Sequence, residues 1–197
     1  MGIGTFALIG AALFYLIYLI KGLLLRKQGI NVNLLGDKDH SREKYFEIIL
    51  KVLTGIGGIL QIATPFLFDI NKTGWAYVGV VLIYFGVLLF LIAVRAMGLN
   101  WRAGYNEKQK TELVTSGIYR FSRNPAFVAF DLLYLGFAVL FPNILMLFMA
   151  VIAVVLFDQQ IRGEEKFLLM TFDDMLLRNI QTFEQTRLKN IFKLNDI

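Results

Sequence analysis

Apolar residues in this chain come in long blocks instead of stripes, and no other feature constrains its fold as strongly. Ile3–Ile20, Phe46–Phe68, Trp75–Val94 and Ala126–Phe157 carry few charges between them. About twenty predominantly apolar residues are enough for one helix to cross a bilayer, so each of the first three blocks reads as a span. The fourth is too long for a single crossing and has Pro142-Asn143 at its middle, which predicts a helix–turn–helix hairpin. At 57 % hydrophobic and 18 % charged residues, the chain lies below the roughly 25 % charge of soluble domains. The expected architecture is an all-α integral membrane protein with five spans, at about 3–20, 46–68, 75–94, 125–141 and 143–159. A polar, cytoplasmic helical tail over 160–197 completes a single domain, 1–197.

Charge placement orients this arrangement. Lys and Arg number six in 21–46, six in 95–124 and six in 158–197, against Lys72 alone between the second and third spans. Five spans with the amino terminus outside put all three basic segments in the cytoplasm, as the positive-inside rule demands. No Lys or Arg precedes the first block and no small-residue cleavage site follows it, so it reads as a span and not as a signal peptide. The net charge of +5 thus follows membrane topology, and no nucleic-acid partner is expected. A chain with no Cys and one His, His40, has no thiolate nucleophile and no metal-ligand cluster.

Within the spans, Gly55, Gly57 and Gly58 are candidates for close helix approach, and Gln61 for a hydrogen bond between helices. Asp131 sits about two turns into a span, where an ionisable side chain is costly and a function is the first hypothesis. Its alternatives are a pocket-facing carboxylate, meeting an amino group or a substrate proton, and a hydrogen bond to a neighbouring helix.

The stretch Leu113–Leu135, LVTSGIYRFSRNPAFVAFDLLYL, begins as a basic loop and turns directly into an apolar helix. Pro125 suits the first helical position and Asn124 the N-cap before it. A helix starting there presents amide N–H groups and the positive end of its dipole to an anion, and Arg123 adds a forked cation beside them. Contact with lipid phosphate is the other use for such an Arg. Gly117 would permit a turn ahead of the helix.

Leu113-Val114, Gly117-Ile118-Tyr119, Arg123-Asn124-Pro125 and Phe127, followed by Gly136, resemble the isoprenylcysteine carboxyl methyltransferase family in its bacterial form. That family groups with the membrane phospholipid N-methyltransferases. Its common pattern has His where this chain has Asn124 and Tyr where it has Phe127. The tail adds Glu164-Glu165, then Phe167-Leu168 and Phe172, similar to the family's second motif. Beyond Phe172 it departs, with Asp173, Leu176 and Asn179 at the family's Gly and two Tyr positions. Phe172, Leu176, Ile180, Phe183 and Leu188 still recur at roughly helical spacing, as an amphipathic helix would require.

The resemblance implies S-adenosylmethionine as cofactor, held by Leu113, Val114, Gly117, Tyr119, Arg123, Asn124, Pro125, Phe127, Glu164 and Glu165. Arg123 and the helix start suit its carboxylate, and Glu164 or Glu165 its amino group or ribose hydroxyls. Tyr119, Phe121 and Phe127 suit adenine or the sulfonium face. Arg123, Glu164, Glu165 and Asp131 are the candidate catalytic residues. The implied reaction is methyl transfer, at the cytoplasmic face of the cell membrane, to a lipidic or small hydrophobic acceptor such as an isoprenylcysteine carboxylate or a lipid amine. An NADPH-dependent reductase of a related membrane fold and a non-catalytic membrane binding or assembly protein are the alternatives. Without the resemblance, an adjacent Glu pair beyond a span reads as solvated surface.

Overall fold

The computed structural model describes residues 2–35, 41–70, 73–102 and 114–171. Among these residues there are five α-helices and no β-strand: α1 (Ile3–Lys27), α2 (Ser41–Leu67), α3 (Trp75–Met97), α4 (Pro125–Leu140) and α5 (Ile144–Thr171). Short 3-10 turns, Gly98–Asn100 and Gly117–Arg120, flank the segment between α3 and α4. His40, Leu113 and the amphipathic pattern beyond Thr171 lie outside the described residues.

Four of the helices, α1, α2, α3 and α5, are long and apolar enough to cross a membrane, while α4 is a shorter apolar helix. Only 28 to 33 % of each long apolar window is buried against protein, so most of its surface is apolar and uncovered. A soluble bundle would turn polar faces outward there; this surface suits lipid tails. The chain is a multi-pass membrane protein. Its helices overrun the apolar blocks: α1 continues to Lys27, α2 starts at Ser41 and α5 runs to Thr171. The stretch after residue 160 therefore begins as a continuation of α5. The blocks mark the apolar stretches, whereas the helices run on into their polar flanks.

Two compact units divide the chain, Met1–Gln160 and Ile161–Ile197. In the first, α3 packs against both α1 and α4, and α1 packs against α2. Small residues set the α3–α4 distance. A Cβ built on Gly79 would lie 2.8 Å from the Gly136 carbonyl oxygen, and one on Gly86 would lie 2.8 Å from that of Ala129. Backbones approach this closely only where side chains are absent. Gly57 and Gly58 on α2 act similarly, lying under Tyr134 and Tyr15 respectively, whereas Gly55 faces open space. Packing at Gly55 is thus corrected: a Cβ built there would meet nothing within 4 Å.

Two apolar clusters fill the bundle. In one, Phe14 stacks on Phe90 at 4.4 Å, Phe130 meets both edge-on, Trp101 meets Phe90 edge-on, and Tyr18 lies near-parallel to Phe90 at 6.4 Å. Rings arranged edge-to-face add about 0.5–1.5 kcal/mol per pair beyond their burial. The other joins Leu50 of α2, Tyr134 of α4, and Met149, Ala150, Ala153 and Phe157 of α5. Gln61 does bridge helices: the Tyr15 hydroxyl donates to its Oε1 at 2.6 Å. Between α4 and α5, Asn143 caps the second helix, its Oδ1 accepting from Met146 N–H at 2.9 Å. Pro142 and this cap make the hairpin that its sequence position predicts.

Candidate functional site

The loop entering α4 is pinned to the end of α3. Gly117 takes a φ of 63°, in the left-handed region where a side chain is strained, and opens the 3-10 turn Gly117–Arg120. That turn packs on α3. Tyr119 is buried, and its hydroxyl donates to the Met97 sulfur at 3.3 Å. This conformation points Tyr119 back into the protein, where it anchors the turn. Phe121, by contrast, is 78 % exposed, its side chain carried outward by the turn. Arg102 folds over the preceding turn, its Nη1 donating to the Leu99 and Trp101 carbonyls at 2.6 and 2.8 Å. Burial lowers its pKa from the usual value, and a guanidinium remains charged at neutral pH regardless.

Arg123 and Asn124 follow, both half-buried, and Pro125 is buried at the first position of α4. Asn124 stands at the N-cap position but makes no side-chain cap hydrogen bond, which corrects the capping role given to it. Its ψ of 52° differs from the extended backbone of an N-cap whose side chain folds back onto the helix. Instead, the Asn124 backbone serves the helix: its carbonyl accepts from Phe127 and Val128 N–H at 3.1 and 3.2 Å. Its own N–H donates to Ser122 Oγ at 3.3 Å. The first turn of α4 thus carries no side-chain cap, and Arg123 stands at its entrance. Such an end suits an anionic group.

One helical face of α4 carries Phe127, Asp131, Tyr134 and Ala138, at the i, i+4, i+7 and i+11 spacing. Phe127, Phe130 and Tyr134 lie 5.4, 5.4 and 6.3 Å from the Phe157 ring of α5. Tyr134 also reaches α2, its hydroxyl donating to the Thr54 carbonyl at 3.4 Å. Asp131 shares the α4 face of Phe127 and Tyr134, with its Oδ1 buried and no hydrogen-bond partner for that atom among the described residues. The alternative reading, a carboxylate serving a hydrogen bond to a neighbouring helix, finds no support at Oδ1. Val114 is half-buried ahead of the turn. Glu164 and Glu165 are half-buried on the last turns of α5, in the unit Ile161–Ile197, and both make contacts within the protein.

Three buried polar residues escaped the sequence reading, Glu47, Thr64 and Gln160. Glu47 of α2 is 1 % exposed, although it stands one residue inside the apolar block and looks like its polar edge. The helix start at Ser41, five residues upstream of the block, carries it inside. The spacing of Glu47, Leu50, Thr54, Gly57 and Gln61 along one helical stripe was the available signal.

A family model described as phospholipid methyltransferase matches residues 75–175. The matched stretch starts at the first residue of α3 and takes in the Gly117 turn, α4 and all of α5. No curated protein and no solved structure matches the chain. The matched stretch covers just over half of the 197 residues and contains the loop, the uncapped helix start and the intramembrane carboxylate. With that match, the chain belongs to the phospholipid methyltransferase family of membrane methyltransferases.

Proposed function

We propose that this protein transfers a methyl group from S-adenosylmethionine to a lipidic acceptor at the cytoplasmic face of the cell membrane. The observation that carries this reading is the start of α4: an uncapped helix end behind Arg123, inside the stretch matched by the methyltransferase family. S-adenosylmethionine brings one carboxylate, one ammonium and a sulfonium whose methyl carbon leaves sulfur as an acceptor lone pair bonds to it. Arg123 and the first amides of α4 fit the carboxylate, by a forked charge-assisted contact and helix-end donors. The half-buried Phe127 offers a ring face to a cation, a contact of about 0.5–2 kcal/mol. Glu164 and Glu165 are the acidic groups proposed for the ammonium or ribose hydroxyls. Asp131 is proposed to take the acceptor's proton.

Transfer from a sulfonium needs little covalent help from the protein. In-line placement of the acceptor and exclusion of water supply most of the acceleration. A lipidic acceptor would enter sideways from the bilayer. The three basic segments support the orientation in which this end of the bundle meets the cytoplasm.

Calorimetric titration of S-adenosylmethionine and S-adenosylhomocysteine into the detergent-solubilised protein tests the proposal. Micromolar binding that Arg123→Ala and the double variant Glu164→Ala/Glu165→Ala both weaken at least about tenfold, with unchanged unfolding, is expected; one charge-assisted contact contributes ~1.5–3 kcal/mol. No binding by the folded wild type, repeated in lipid nanodiscs, refutes the methyltransferase reading. NADPH titrated in parallel addresses the reductase alternative.

A further inference from the structure

We propose that Met97, the last residue of α3, is a positioning residue for the cofactor: its sulfur fixes Tyr119, and through that turn it sets Arg123 at the start of α4. The inference rests on the methyltransferase reading and concerns a residue on a different helix from the loop that meets the ligand.

Met97 is held where it stands. Gly98 takes a φ of 54°, in the left-handed region, and its N–H donates to the Arg95 carbonyl, which ends the helix at Met97. The half-buried Met97 side chain packs on the core cluster that contains Val94 and Trp101. Beyond it, Arg102 closes the next turn through the Leu99 and Trp101 carbonyls. Against this fixed end lies Tyr119, 22 residues further along the chain and 7 % exposed, its hydroxyl donating to the Met97 sulfur at 3.3 Å. A thioether is a weak acceptor, so the expected effect of removing it is graded and not all-or-none.

Short-range hydrogen bonds carry that anchor to the site. Phe121 and Ser122 N–H donate to the Ile118 carbonyl at 3.1 and 3.3 Å, and Asn124 N–H donates to Ser122 Oγ at 3.3 Å. The Asn124 carbonyl in turn accepts from the first turn of α4. Arg123 lies inside this run, one turn's length after Tyr119. The helix itself is held independently, by the close approach of α4 to α3 at Gly86 and Ala129 and at Gly79 and Gly136. Loss of the Tyr119 anchor therefore loosens the turn without separating the helices. The consequence falls on Arg123, whose forked contact with a carboxylate depends on direction as well as charge. Tyr119 thus serves the cofactor from behind the loop, by placing the cation.

Calorimetric titration of S-adenosylhomocysteine into the full chain in lipid nanodiscs tests this. Met97→Leu keeps an apolar side chain of similar size and removes the acceptor. It is expected to weaken binding about three- to tenfold, the scale of one net hydrogen bond, with unfolding unchanged. Tyr119→Phe should lose about as much, and the double variant no more than either alone. Met97→Gln, which offers an amide oxygen on a chain of similar length, should recover most of the loss; a residue needed only for packing would not be rescued in this way. In an Arg123→Ala background, Met97→Leu should change affinity less than about twofold, because the cation that the anchor places is gone. Wild-type affinity in Met97→Leu overturns the proposal. So does Met97→Gln binding no better than Met97→Leu, or an undiminished loss in the Arg123→Ala background, either of which would make Met97 a general support of the fold. In each of these cases the methyltransferase reading stands. If the folded wild type binds neither S-adenosylhomocysteine nor S-adenosylmethionine, both fall.

Discussion

Gly79 of α3 and Gly136 of α4 face one another so closely that a Cβ on either would lie within 2.9 Å of the other's carbonyl oxygen. The contact fixes α4, and with it Asp131 and the Pro125 helix start, against the central helix.

Enlarging either glycine should therefore force the helices apart. Gly79→Val or Gly136→Val is expected to cost ~1–3 kcal/mol, the range for overpacking. Gly55→Ala, which meets open space, should be neutral or slightly stabilising. Unfolding in mixed detergent micelles, followed by tryptophan fluorescence, measures all three. Equal stability of the Gly79 and Gly55 variants would remove the packing argument.

Tyr15 and Gln61 join α1 to α2 through one hydrogen bond of 2.6 Å. Side-chain hydrogen bonds inside membrane bundles contribute ~0.6 kcal/mol on average and up to ~1.7. Tyr15→Phe should lose about that much in the wild type and little in a Gln61→Leu background. A double-mutant cycle with no coupling between the two positions would show that the bond does not stabilise the bundle.

Gly117 occupies left-handed backbone at the entrance to the site. Gly117→Val puts a branched side chain in that region, a strain of at least ~1 kcal/mol. The change lies in a loop, so the helices should unfold at nearly the wild-type denaturant concentration while S-adenosylmethionine binding weakens. Binding unchanged in Gly117→Val would separate this turn from the cofactor.

Asp131→Asn removes a carboxylate whose Oδ1 has no hydrogen-bond partner among the described residues. Stability should hold or rise, because an ionisable group inside a span is costly. Turnover should fall by about 10²–10⁴, the usual contribution of a positioned proton acceptor, with cofactor affinity retained. A folded variant with full turnover would exclude Asp131 from the chemistry.

Much of the fold was legible because lipid imposes its rule one segment at a time. Apolar length marks the spans, Pro142-Asn143 marks the hairpin, and Gly117 and Pro125 mark the turn and the helix start. Side-chain direction was not legible. Asn124 has the composition of a cap and lacks its hydrogen bond, since the local ψ decides that. Tyr119 turns inward and Phe121 outward, although both are aromatic and two residues apart.

Segment length and charge placement in the sequence alone determined that this is a multi-helix membrane protein, because each helix satisfies its own backbone within the bilayer. The motif around Arg123-Asn124-Pro125 determined its family. Tertiary structure alone decided which residues meet. It set Tyr134 on Gly57, left Gly55 bare, buried the Oδ1 of Asp131, and buried Glu47 at the edge of an apolar block. Those outcomes depend on how helices rotate about their axes and slide past one another. Small residues and aromatic packing between distant segments set that rotation, and no single segment encodes it.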